Sequence, residues 1–529
     1  MLTVNNLSVA FPDKKLFEDV NLIFSDGNVY GVIGANGAGK STFLKILNGE
    51  KEPTTGNITM GEHDRLSKLN QDHFAFENYK VIDTVIMGNR ELYDISVEKD
   101  LIYSKEDFTE EDGIRAAELE GRFGELNGYE AEGEASTILQ GLGISTDKHG
   151  LFMKDLIEAD KVKVLLAQAL FGKPEILLLD EPTNGIDYKA VKWLEDFLFD
   201  FEGIVIVVSH DRYFLNEVCT HMVDIDYGKI RMTLGNYDFW YESSKLAEKM
   251  IKEANKKKEE KIKELEDFIR RFSANKSKSK QATSRKKLLD KITLDDIAPS
   301  LRRYPFVGFE LSREPGNEIL NFENLTIKNG EKILLNDFDL RVLKNEKIGF
   351  IGNEIAITEL FEVITGNREE YEGFYKWGQT ISYDYFPKDN TKYFDTKGLN
   401  LLDWLRQYSK ENSEIFIRGF LGKMLFSGDE ALKDSSVLSG GERVRMMFSK
   451  MMIEPRNMLI FDQPTNHLDL ESIEAVNNGL ISYKGNILFT SLDHQFVSSV
   501  ANKIVEIFDD GSYRVEEGGY EEYIEKYMS

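Results

Sequence analysis

The segment Gly34-Ala35-Asn36-Gly37-Ala38-Gly39-Lys40-Ser41, with Thr42 behind it, has the spacing GxxxxGK[ST]. That pattern does phosphate chemistry. Glycines let the backbone turn so that several N–H groups face one anion at a helix N-terminus. The lysine neutralises β- and γ-phosphate oxygens, and the serine hydroxyl binds Mg²⁺. Far downstream, the apolar run Leu177-Leu178-Leu179 ends in two carboxylates. Asp180 would organise Mg²⁺, and Glu181 would orient or polarise an attacking water. Pro182-Thr183-Asn184 follows, and Ser209-His210-Asp211 closes a further apolar run, which offers His210 to a γ-phosphate. Gln71 reads as a sensor near Mg²⁺ and water. Phe11 reads as a ring that stacks on adenine, or equally as a packed strand residue.

Such groups need a sheet behind them. Residues 29–33, 176–179 and 204–208 are strand-like and are separated by helical stretches, which predicts mixed α/β architecture with a mostly parallel sheet. The pattern then recurs. LTVNNLSVAF at 2–11 echoes LNFENLTIKN at 320–329, and Gly34 matches Gly352, both at an offset of 318; later pairs, such as Asp180 with Asp462, lie 282 apart. A repeat this long is a duplicated domain. The change of offset leaves about 36 extra residues in the first half. They fall near 89–143, which reads as an inserted helical arm. The predicted organisation is a first α/β domain at 1–244, a charged linker at 245–305 and a second α/β domain at 306–529.

The second copy has lost its chemistry at several matching places. It reads Gly352-Asn353-Glu354-Ile355-Ala356-Ile357-Thr358-Glu359, so Thr358 stands for the lysine and Glu359 for the Mg²⁺-binding hydroxyl. Asn329 stands for the adenine-stacking ring, Gln463 for the hydrolytic carboxylate and Leu492 for the histidine, and Phe386 is taken to replace the sensor glutamine. The second half does keep Leu438-Ser439-Gly440-Gly441-Glu442, whereas the first has Leu156-Ile157-Glu158-Ala159-Asp160 there.

The 529 residues carry a net charge of −26 and are 41% hydrophobic, which supports folded domains and argues against an extended basic face. One cysteine, Cys219, excludes a disulfide framework. The absence of a long apolar run and of a basic-then-apolar leader predicts a cytoplasmic chain without membrane insertion. The linker reverses the overall charge. It has helical spacing and then a polar turn at 273–280, suggesting two helices with a basic tip. Arg270, Arg271, Lys276, Lys278, Lys280, Arg285, Lys286 and Lys287 are its candidates for RNA contact; a solvated hairpin is the simpler alternative.

Together these motifs resemble the ATP-binding cassette superfamily. Two cassettes on one chain with a charged helical linker resemble its ABC-F family. DTVIMGNRELY (83–93), VLLAQALF (164–171) and RFSANKSKSKQATSR (271–285) look like the YbiT-type branch. The resemblance implies two tandem P-loop cassettes joined by a helical hairpin, with ATP and Mg²⁺ as cofactors. It implies a monomer with an intramolecular sandwich, each ATP lying between the P-loop of one cassette and the LSGGE segment of the other. Ser439, Gly440 and Gly441 would then complete the site built on Gly34, Asn36, Gly37, Gly39, Lys40, Ser41 and Thr42, while the site on the second loop would be degenerate. It also implies binding at the ribosomal E site, with the linker reaching rRNA and P-site tRNA, and release on ATP hydrolysis. The competing expectations are an ATPase subunit of a membrane transporter and an ATP-dependent nucleic-acid-binding protein.

Overall fold

A computed structural model describes all residues except 12–13, 36, 63, 71, 73, 227, 273–301, 303, 331, 467 and 528–529. The chain divides into two units, Met1–Ser209 with Phe214–Leu301, and His210–Tyr213 with Arg302–Ser529.

In the first unit, fully buried β-branched and leucine side chains drive a six-stranded sheet. Its order is Leu66–Lys68, Ile176–Asp180, Ile204–Val208, Asn28–Ile33, His221–Asp226 and Lys229–Leu234. All neighbouring pairs are parallel except the last, which is antiparallel. A near-continuous apolar run such as Ile204–Val208 suits a strand covered on both faces. An antiparallel sheet of Lys14–Phe24, Leu2–Phe11 and Thr55–Thr59 lies beside it. Val4, Leu7, Phe17 and Phe24 from that sheet share one core with Phe43, Leu47, Leu178 and Ile206.

The second unit repeats this plan. Its six-stranded sheet runs Tyr383–Phe386, Met458–Asp462, Asn486–Thr490, Lys347–Gly352, Lys503–Ile507 and Tyr513–Glu517, beside a three-stranded sheet of Lys332–Leu343, Glu318–Asn329 and Glu372–Trp377. The register preserves both offsets of the repeat: Val29 pairs with Val205, and Lys347 with Ile487.

Within residues 89–143 of the first unit, helices Arg90–Tyr103 and Glu110–Glu125 pack through Ile95, Ile102, Ala116 and Leu119. Asn89 caps the first by accepting from Leu92 N, and Thr109 begins the second with a capping box. The 36-residue helix Tyr237–Phe272 spans about 54 Å. Arg270 and Arg271 lie in its last turn. The candidates Lys276, Lys278, Lys280, Arg285, Lys286 and Lys287 fall outside the described residues. Among the described residues, no helix is long and apolar enough to cross a membrane.

Candidate functional site

In the first unit, the strand Asn28–Ile33 runs into a loop that gives way to the helix Lys40–Leu47. Gly37 and Gly39 take φ of +75° and +112°, a region that side-chain-bearing residues avoid. These two reversals hold the chain out of a helix until Lys40, and Gly39 occupies the cap position without a side chain. Lys40 is buried, and its Nζ donates to the Gly34 carbonyl at 2.7 Å. Gly34 itself leaves no room for a Cβ beside the Ile225 carbonyl. Thr42 lies in the first turn of the helix.

Asp180 ends the strand Ile176–Asp180, which is separated from Asn28–Ile33 by the strand Ile204–Val208, and is hydrogen-bonded to Ser41. Burial raises the Asp180 carboxyl above its usual range, and Ser41 and Lys40 hold it down. A hydroxyl and a carboxylate from adjacent elements fit Mg²⁺, which takes few protein ligands and completes its octahedron with water and substrate phosphates. A larger carboxylate cluster is therefore not required, and among the described residues no group of three metal-binding side chains occurs. A cavity of about 280 Å³ touches Ser41 and Asp180 and is lined also by Lys45, Lys68 and Asn70.

Glu181 follows with φ of +53°, held by its N–H on the Val208 carbonyl at 2.8 Å. A non-glycine residue in that region is strained, and such strain is characteristic of functional sites. Ser209 ends the first-unit segment buried. His210 groups with the second unit, where Arg212 pairs with Glu474 at 2.9 Å and Tyr213 stacks on His494 at 4.1 Å. Phe11, 43% exposed, ends its strand with the Lys51 ammonium 3.9 Å from the ring centroid. Asn36 and Gln71 lie outside the described residues.

At the matching place in the second unit the loop has been wound into helix. Helix Glu354–Ile364 begins four residues earlier in the aligned chain than helix Lys40–Leu47. The cause is local: Ile355 and Ile357 stand where Gly37 and Gly39 make their reversals, and a β-branched residue does not take positive φ. Asn353 caps the new turn by accepting from Ala356 N at 3.0 Å, and its amide donates to Asp509 at 2.9 Å. Thr358 donates to the fully buried Asp462 at 2.7 Å. Glu359 pairs with Arg368, and Glu354 with Lys388. Burial pushes the Asp462 carboxyl up to about 6, against the hydrogen bond from Thr358 and the charge of Lys388; Glu354 and Glu362 push it further up.

The backbone strain recurs in the second unit. Gln463 keeps φ of +49°, and its N–H still donates to the Thr490 carbonyl at 3.0 Å. One expectation needs correcting. Leu66 pairs with Ile176, and Tyr383 with Met458, so the strand registers place Phe386 two positions short of the residue that continues this alignment to the sensor position. Phe386, a buried strand residue, is the counterpart of Leu69. The misreading arose because a three-residue strand carries too little pattern to set its register.

The two LSGGE positions differ in the same physical way. Ser439 caps helix Gly440–Ile453 through a reciprocal box with Glu442, which Lys433 also holds at 2.8 Å; Gly440 and Gly441 open the helix. In the first unit Ile157 occupies the cap with no side-chain bond and is 67% exposed, followed by Glu158.

Comparison with known proteins agrees with this architecture. An ABC transporter family model matches residues 17–184, and a second one, also described as ABC transporter, matches 223–308. The chain is 60% identical to the Bacillus subtilis (strain 168) protein named "Uncharacterized ABC transporter ATP-binding protein YkpA", over 99% of this chain and 97% of that one. It is 43% identical to "Probable ATP-binding protein YbiT" of Escherichia coli O157:H7, over 99% of each. Its fold resembles that of an archaeal ribosome recycling factor, aABCE1, solved in complex with the ribosomal stalk protein aP1. The TM-score there is 0.63 at 17% identity, covering 99% of this chain and 92% of that one. With two P-loop-type α/β units in tandem and full-length relatives at these identities, the chain belongs to the ABC-F family of ATP-binding cassette proteins, in its YbiT branch.

Proposed function

We propose that this protein is a cytoplasmic ATPase that binds the ribosome and modulates translation, with ATP hydrolysed at the first P-loop alone. The observation that carries the reading is the contrast at aligned positions. The first loop keeps its left-handed glycines, Lys40, Ser41 and Asp180. The second is a capped helix whose Thr358 already bonds Asp462.

In this reading the backbone N–H groups of Gly37, Gly39 and Lys40 receive the β-phosphate, and Lys40 exchanges its bond to Gly34 for phosphate oxygens. Ser41 and Asp180, with Gln71, would hold Mg²⁺, which would supply charge neutralisation at the phosphates. Glu181 orients the attacking water and draws its proton, His210 steadies the γ-phosphate, and Phe11 stacks on adenine. Ser439, Gly440 and Gly441 complete the site from the other cassette in the intramolecular sandwich of a monomer. The second cassette acts as a partner without a nucleotide of its own.

Ribosome binding is supported by the ABC-F resemblance and by a fold shared with a ribosome recycling factor. The basic linker positions, Arg270 and Arg271 among them, are suited to rRNA and P-site tRNA phosphates. The test is co-sedimentation. The Glu181→Gln chain should pellet with 70S ribosomes in ATP and stay in the supernatant in ADP. Equal recovery in the supernatant under both conditions would refute the ribosomal role.

A further inference from the structure

The short strand Leu66–Lys68 leads toward the sensor position and is tied at both ends to the start of the helical arm. Before the strand, the Arg65 guanidinium donates to the carbonyls of Gly88 at 2.9 Å, Phe171 at 3.1 Å and Gly172 at 2.6 Å. Within it, Ser67 donates to the Ala169 carbonyl at 2.7 Å. After it, the Asn70 amide donates to Gln168 Oε1 at 3.0 Å, and Gln168 Nε2 donates to the Thr84 carbonyl at 2.8 Å. Gln168 is only 4% exposed and lies on helix Glu158–Leu170, the helix that starts at the LSGGE position. Thr84 lies on helix Val81–Ile86, from which Gly88 and Asn89 lead into arm helix Arg90–Tyr103. A side chain at Gly88 would run into the Gln168 carbonyl, so arm base and helix are in close contact.

This relay has a direction built into it. The Thr84 carbonyl only accepts, so Gln168 must turn its NH₂ toward the arm and its oxygen toward Asn70. One buried amide therefore serves both neighbours, and neither bond survives a flip. The second unit supplies an internal control. Lys450 stands at the Gln168 position and Asp384 at the Ser67 position, and they pair with each other at 2.7 Å. There the helix Leu401–Arg406, counterpart of Val81–Ile86, places Trp404 at the Thr84 position, with its indole on the Tyr393 carbonyl. The amide bridge occurs in the unit that carries the arm.

We propose that Gln168 is a positioning residue that ties the ATP-sensing loop of the first cassette to the base of the arm, so that ATP at the first site and the setting of the arm influence each other. The proposal rests on the first loop being the ATP site. Asn70 directly precedes, in the sequence, Gln71, the residue expected to sense Mg²⁺ and water. Gln168→Leu removes both bonds. Gln168→Glu keeps an acceptor for Asn70 and loses the donor to Thr84, which separates the two halves of the relay.

The full-length chain is used throughout, with kcat and KM for ATP read alongside hydrogen exchange of residues 84–104 with and without ATP in the Glu181→Gln background. Gln168→Leu should lower kcat about tenfold with KM within about twofold, the effect of losing one buried hydrogen bond in the transition state. Gln168→Glu should keep kcat within about threefold yet abolish the ATP-dependent change in exchange at 84–104 that the Gln168 chain shows. The proposal is overturned if ATP binds to the Glu181→Gln chain and leaves exchange at 84–104 unchanged. It is overturned equally if the Leu and Glu variants lose kcat alike, as a plain packing role would require. A chain that bound no ATP would instead overturn the assignment of the first site and the coupling with it.

Discussion

The loop before helix Lys40–Leu47 and the helical turn that begins Glu354–Ile364 occupy the same place in two copies of one fold, between equivalent strands in the same register. In the first, Gly37 and Gly39 take left-handed conformations ahead of the helix that starts at Lys40, and the buried Lys40 donates to the Gly34 carbonyl. In the second, an extra helical turn forms in which the Ile357 N–H donates to the Asn353 carbonyl, the Asn353 side chain caps that turn, and Thr358, Glu359 and Glu354 have partners of their own. The difference shows how one place in a fold can satisfy its polar groups within the protein. Thr358, Glu354 and Glu359 each bond within the protein, and the sheet beneath them is kept.

The largest test of this contrast is Glu181→Gln. A positioned base contributes on the order of 10²–10⁴-fold, so phosphate release should fall about a thousandfold while equilibrium binding of ATP persists. Retention of a tenth of the turnover would place the chemistry elsewhere. Next is Lys40→Ala against Thr358→Ala. Loss of one charged hydrogen bond, worth about 1.5–3 kcal/mol, should weaken ATP binding roughly 10- to 150-fold in the first variant. The second should leave affinity unchanged, and its binding stoichiometry should remain one ATP per chain by calorimetry. Two tight sites in either the parent or this variant would erase the distinction between the loops.

Thr358→Ala should instead cost stability, about 1–3 kcal/mol, because it leaves the buried Asp462 oxygen unmet; chemical denaturation followed by tryptophan fluorescence reads this. The smallest effect is pH-linked. Asp462 is pushed up to about 6 by burial, above its unfolded value, so it binds a proton more tightly folded than unfolded. Its contribution is full below the unfolded pKa and is lost as pH rises through about 6. That amounts to about 1 kcal/mol between pH 5 and 7. Asp462→Asn should flatten this part of the stability profile while still accepting from Thr358. An unchanged slope would mean that Asp462 is ionised throughout.

Much of this was readable along the chain. The repeat, the change of offset and the substitutions at Thr358, Glu359 and Gln463 are local facts of residue type and spacing, and they suffice to mark one loop as complete and the other as altered. The replacement of Gly37 and Gly39 by Ile355 and Ile357 was equally plain, although its consequence, a helix started early, appears only when the backbone is followed. The sensor position was misaligned by two residues at Phe386 because a strand of three or four residues carries almost no periodic signal. Register comes from the neighbouring strand, as Leu66 on Ile176 and Tyr383 on Met458 show.

The sequence by itself determined the family, the duplicated α/β plan and the set of groups able to handle phosphate, because those depend on residue identities at short spacing. Tertiary structure alone decided what the altered residues do now. Thr358 and Asp462 are 104 positions apart, as Asn70 and Gln168 are 98 apart, and no local pattern announces such partners. They meet because parallel strands and their crossover helices bring distant segments to the same edge of a sheet, where a buried polar group must find whichever partner the fold supplies.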